Sequence, residues 1–168
     1  MFHEWTAFYS LVGSATGSLL GLMFVVATLT AGRDPTLVAR GAPVFVTPIV
    51  FHFAVVLFIS AVAEVPKLPH PLIVAILAVV ATAGFIYAAI TTRELFDPEW
   101  AEPIEVSDKW FYGILPAIVY VALGGTAVTT SVAPTVSVYV IAATVLVLLM
   151  IGVRNAWDLA TTLTLRRP

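Results

Sequence analysis

Stretches such as LIVAILAVV and VYVIAATVLVLLMIG are apolar on every side, so a helix built from them has no face to offer water. Five runs of this kind follow one another along the chain, each close to the roughly 20 residues a helix needs to cross a bilayer. They cover about residues 7–30, 43–63, 72–92, 111–131 and 135–153, and the last is expected to continue as a helical extension to about residue 165. A transmembrane β-barrel would need alternating ten-residue strands, a pattern these runs do not have. Over the 168 residues, 60% are hydrophobic and only 11% charged, whereas a soluble domain carries about 25% charge. The expectation is an all-α integral membrane protein, a single transmembrane domain of five helices over residues 1–168, with the lipid bilayer as its solvent.

Several classes are excluded by the same arithmetic. There is no cysteine for a disulfide scaffold, and a net charge of −2 gives no footprint for nucleic acid. The first run is longer than the core of a signal peptide, and Met-Phe-His-Glu-Trp before it has no basic residue, so it is read as a retained helix. No internal repeat points to an inverted-repeat transporter.

The basic residues give a direction. With the N-terminus outside, the outer loops carry only Lys67, while Arg33, Arg40, Arg93, Lys109, Arg154, Arg166 and Arg167 face the cytoplasm. Short loops biased this way predict an outer N-terminus and a cytoplasmic C-terminus. Trp5 then belongs to the outer aromatic belt, and Trp100, Trp110 and Trp157 to the inner one. Pro35 is placed to open a short turn, Pro66, Pro69 and Pro71 stiffen the outer loop, and Ala133-Pro134 sets up a tight hairpin. The acidic, proline-interrupted connection 94–110 reads as chain lying along the headgroups. Pro48, Pro116, Gly124 and Gly125 are kink candidates.

Within the first run, a helical advance of 100° per residue gathers Thr6, Ser10, Gly13, Ser14, Gly17, Gly21 and Thr28 on one stripe, with Phe24 its only bulky member. Phe8, Leu11, Val12, Leu19, Leu22 and Val26 fall opposite. Small residues let helix backbones approach closely in lipid. The stripe therefore predicts burial in protein, either as tight packing within a subunit or across an oligomer axis, or as the lining of a central pore. Packing is the better supported of the two.

Intramembrane polar residues are the other candidates. His52, near mid-membrane, fits a proton relay or a haem or metal ligand, but a neutral ring hydrogen-bonded to its neighbours fits better, since no second histidine shares its depth. His3, Glu4, Glu64, Lys67 and His70 converge on the outer face as a possible cation site or pore mouth, set against an ordinary rim with a Glu64–Lys67 pair. Arg154 and Asp158 read as an inner-interface anchor with an i,i+4 pair. No nucleophile–base set, phosphate loop or resident metal cluster is present, so neither catalysis nor a cofactor is expected.

The opening W-x-x-F-Y-x-x-x-G-S-A-x-x-S-L-L-G-L-x-F-V, Trp5 to Val25, resembles a group of small bacterial multi-pass membrane proteins of unknown function, some labelled as modulators of a membrane-bound protease. That resemblance covers the first helix and implies a bacterial inner-membrane location and no catalytic residues. GSLLGLMFVV also looks like the pore helix of store-operated calcium channels, though here the direction is reversed and no acidic residue follows. The functional expectation is a homo-oligomeric, channel-like protein for small ions with the first helix at or near the axis. Its alternative is a non-catalytic accessory or modulatory subunit bound to another membrane protein.

Overall fold

In the computed structural model, which describes residues 2–30, 42–97 and 105–165, every regular element is helical. A single 3-10 turn, His3–Trp5, leads into α1 (Thr6–Thr30). α2 (Thr47–Glu64), α3 (His70–Leu95), α4 (Leu115–Thr129) and α5 (Pro134–Leu165) complete the bundle. Five helices are long and apolar enough to cross a membrane, over Thr6–Thr28, Val44–Glu64, His70–Leu95, Val106–Thr129 and Pro134–Thr161. These bounds lie within a few residues of the sequence expectation, except that the fourth begins earlier. Val106–Asp108 is already a helical turn, so the end of the 94–110 connection belongs to the span and not to a surface strand of chain. Arg33, Pro35, Arg40, Trp100, Arg166 and Arg167 lie outside the described residues.

Prolines mark where the helices begin. Pro48, Pro71 and Pro116 occupy the first turns of α2, α3 and α4, and Pro134 opens α5; at Pro71 and Pro134 the missing N–H costs no helical bond. Pro48 and Pro116 share a different device. Each comes one residue after a π-helical turn, Ala42–Val46 and Lys109–Ile114. A proline ring clashes with the carbonyl four residues back, and the wider π turn gives that carbonyl room. Of the kink candidates Pro48, Pro116, Gly124 and Gly125, the two prolines therefore mark π-to-α junctions.

The helices pack in an open circuit: α1 on α2, α2 on α5, α5 on α4, and α4 on α3. Half of the membrane-length windows of α2 and α5 is buried, against 17% of that of α1, so α1 is the outlying helix. Ser10 against Glu64 and Gly13 against Ser60 show α1 and α2 running antiparallel. Phe45 against Tyr112 and His52 against Tyr120 show the second and fourth spans running parallel. The α2–α3 connection is five residues long and turns through Lys67, whose φ of 55° lies in the left-handed region. The α4–α5 turn is tighter still and is clamped by a Thr129–Ser137 hydroxyl bond of 2.9 Å.

Gly84, Gly113 and Gly152 make close contacts that leave no room for a Cβ, Gly113 against Thr92. A Cβ on Gly84 would enter the Tyr120 ring, and one on Gly152 would stand 2.5 Å from Phe53. Gly84→Ala and Gly152→Ala should each destabilise the bundle by about 1–3 kcal/mol, because the displaced rings have no free volume to enter. Gly17→Ala, with open space at its Cβ, should change stability by no more than about 1 kcal/mol. Thermal unfolding in detergent would rank the three.

Candidate functional site

α1 does not bury the stripe that the sequence singles out. Tyr9, Val12, Thr16 and Met23 are its covered residues, a 3-4-7 spacing of side chains inserted between α2 and its neighbours. Val12, assigned to the outward face, is among the most buried. The small-residue stripe lies roughly a third of a turn round from this seam. Gly13 packs on α2, its Cβ position 3.3 Å from Ser60 Cβ. Gly17 and Gly21 face open space, and Thr6, Ser10, Ser14 and Thr28 are exposed. Within the chain the stripe is therefore mostly exposed, with Gly13 half-buried. The physical reason is contact area, since projecting side chains give α2 more surface to pack on than a bare flank does.

Where the hydroxyls of α1 go is equally informative. Ser18 donates to Ser14 O at 3.0 Å, Thr28 to Val25 O at 2.8 Å and Thr16 to Val12 O at 2.6 Å. Ser10 instead reaches across to Glu64 Oε1 at 2.9 Å.

Among the described residues, the structure brings none of the outer cluster's side chains together. Glu64 accepts from Ser10 and does not pair with Lys67. Glu4, Lys67 and His70 are exposed, and the His3 side chain lies outside the described residues. Among the described residues, no group of three or more His, Asp or Glu could hold a metal ion.

His52 is fully buried and has a partner that the sequence reading did not name. Its Nδ1 lies 2.9 Å from Tyr120 Oη, with the next residue, Phe51, stacked on Tyr87 at 4.3 Å between centroids. A phenol inside an apolar span needs a hydrogen-bond partner, and counting from the parallel Phe45–Tyr112 contact brings Tyr120 to the depth of His52. The sequence carries no signal for this pairing, because the register it is counted from is itself a contact between helices. Among the described residues, the buried side-chain atoms His52 Nε2, Tyr9 Oη and Ser60 Oγ have no hydrogen-bond partner.

At the other end, Arg154 reaches across the bundle as well as to its neighbour Asn155 on its own helix. Its guanidinium lies 3.6 Å from Asp108 and 3.2 Å from Asn155 Oδ1, and stacks over Phe111 at 4.3 Å. This corrects the expected Arg154–Asp158 pair: Asp108, brought in by the early start of the fourth span, offers a carboxylate across the helix interface. Asn155, fully buried, donates from Nδ2 to Phe111 O at 3.1 Å, and Tyr112 donates to Asn155 O at 3.0 Å. Arg154 and Asn155 thus tie α5 to the π turn ahead of α4.

Two surface grooves are present, one of about 370 Å³ between Leu146, Met150 and Leu115, the other of about 420 Å³ along Val79 and Ile86. Both are lined almost wholly by apolar side chains. No protein-family model, curated protein or solved structure matches the chain.

A double-mutant cycle through His52→Phe and Tyr120→Phe should return a coupling of about 0.6–1.7 kcal/mol, the range measured for hydrogen bonds between membrane helices. Additive effects on unfolding in detergent would mean that the two rings share no bond.

Proposed function

We propose that the protein is a homo-oligomeric, channel-like inner-membrane protein of bacteria for small ions, with α1 at or near the axis of assembly. The reading rests on one observation. α1 is the least buried of the five apolar helices, and its Gly17 and Gly21 have no neighbour among the described residues. In lipid a bare, hydroxyl-bearing flank gains from close approach of another helix, and copies of the same chain supply one. Ser10, Ser14 and the backbone at Gly17 and Gly21 would then border the axis, with Glu64 held by Ser10 near one mouth. Neither surface groove offers a polar path through a single subunit, which is a further reason to look for one between subunits. The positive residues favour an outer N-terminus and a cytoplasmic C-terminus.

A second reading, a modulatory subunit docking α1 on a different membrane protein, draws support from the hydroxyls themselves. Ser18 and Thr28 satisfy their donors on their own helix, which suits a dry helix–helix contact better than a wet lining.

Sizing of the purified protein in nanodiscs, followed by ion flux in liposomes, separates the two. The pore reading expects a defined homo-oligomer that conducts, and a silent monomer overturns it. Gly17→Leu should leave the helical fold intact while dispersing the assembly, because the added side chain meets nothing within its own chain. Because the chain has no cysteine, Lys67→Cys and Arg93→Cys report orientation directly. The first should react with an impermeant maleimide added outside, the second only after permeabilisation.

A further inference from the structure

The groove of about 370 Å³ between α5 and the start of α4 is apolar along its length and charged at one end. Leu146, Val147 and Met150 line it from α5 and Leu115 from α4, while Phe111 and Arg154 close it. From Leu146 to Arg154 is about 12 Å along the helix axis, more than two turns. Leu146, Val147 and Met150 are exposed, so the groove opens sideways from the bundle. Trp110 stands just before Phe111 and Trp157 three residues beyond Arg154, and both are exposed. Interfacial tryptophans mark headgroup depth, so in a chain read as membrane-spanning the groove descends from the headgroups into the hydrocarbon.

An acyl chain suits the apolar length, and the mouth decides which head it carries. Among the described residues, both polar contacts of the Arg154 guanidinium run through Nη1, 3.2 Å to Asn155 Oδ1 and 3.6 Å to Asp108 Oδ1. A guanidinium has five N–H donors in a planar fork, so its other edge can take two oxygens of a phosphate. Carboxylates border that cation. Asp108 faces it across the helix interface, and Asp158 follows one turn further along α5. The nearest other cation, Lys109, lies with its Nζ 4.5 Å over the Phe96 ring, at the end of α3. We infer that this groove holds one phospholipid per subunit with a zwitterionic ethanolamine head, the phosphate on Arg154 and the ammonium at Asp108 and Asp158.

Charge complementarity selects that head over the other common ones. One positive group beside two negative ones matches a head that bears both signs two carbons apart. A glycerol head brings the phosphate's charge alone, which Arg154 attracts and both carboxylates repel. A choline head brings the positive charge without any N–H to donate to them. Basic sites between spanning helices are places where phospholipid heads bind, and here the carboxylates tune the choice among heads. The occupant would also brace the irregular turn Lys109–Ile114 from the lipid side, as Asn155 does from within through Phe111 O.

The site belongs to one subunit and rests on the helices being membrane spans, not on the assembly proposed above. Native mass spectrometry of protein released from nanodiscs of equal parts phosphatidylethanolamine, phosphatidylglycerol and phosphatidylcholine would read it. Wild type should keep one phospholipid per subunit, with phosphatidylethanolamine favoured about tenfold over each of the others, the scale of one charge-assisted hydrogen bond. Asp108→Asn combined with Asp158→Asn leaves Arg154 as the charge at the mouth and should turn the preference to phosphatidylglycerol. Met150→Trp, at an exposed position, fills the groove and should remove the retained lipid whatever its head. It serves if the double variant fails to fold. Gly17→Leu, which addresses the assembly, should keep the lipid as wild type does. A wild type that keeps no lipid, keeps the three in proportion or prefers phosphatidylglycerol overturns the assignment. So do an unchanged preference in a folded double variant, lipid still held by Met150→Trp, or lipid lost together with assembly in Gly17→Leu.

Discussion

A backbone carbonyl in an apolar surrounding has no water to fall back on, and for a chain read as membrane-spanning that constraint governs nearly every feature of this bundle. It makes each of the five runs a helix. It also makes proline the hardest residue to place, because the proline nitrogen leaves a carbonyl without its donor. Pro71 and Pro134 escape by sitting where no donor is required. Pro48 and Pro116 come after π turns that let the backbone widen before regular α-helix begins. The second π turn is held from outside as well, since Phe111 O within it accepts from Asn155 and Tyr112 reaches back to Asn155 O. Arg154 and Asp108 lie on that same junction, so the one ionic contact described there secures a stretch of irregular helix.

Much of this was legible in the residues. The number and bounds of the spans follow from hydropathy alone, because no tertiary contact is needed to make a run such as Leu72–Thr92 helical. The partner of each polar residue was not legible, for a physical reason. Arg154 has Asp158 one turn away on its own helix, and local spacing favours that pair. The carboxylate it meets comes from Asp108, across an interface whose register no local pattern encodes. Glu64 repeats the lesson, with Lys67 near in sequence and Ser10 near in space. On α1 the difficulty was different. Two stripes share the helix, one of small residues and one of Tyr9, Val12, Thr16 and Met23, and they meet at Gly13. Sequence shows both and does not say which of them the chain covers itself.

The answer separates two roles on α1. The projecting stripe attaches the helix to its own subunit, and the glycine flank remains for something else. A helix that needed only to complete the bundle would gain nothing from Gly17 and Gly21 on a face with no neighbour, because glycine weakens a helix relative to alanine by about 1 kcal/mol. Among the described residues, that flank meets α2 through Gly13 on Ser60 and Ser10 on Glu64, while Gly17 and Gly21 meet nothing.

The buried polar groups divide in the same way. Asn155 and Tyr112 are paired on rigid elements and act as fasteners, since removing either partner would strand the other in an apolar setting. His52, Ser60 and Tyr9 are only partly paired, and a bundle selected for stability alone would be better served by leucine or phenylalanine at each position. Ser60 and Tyr9 lie on the α1–α2 contact near the Ser10–Glu64 bond, whereas His52 turns toward Tyr120 on α4, so the three are separate departures from a purely apolar interior.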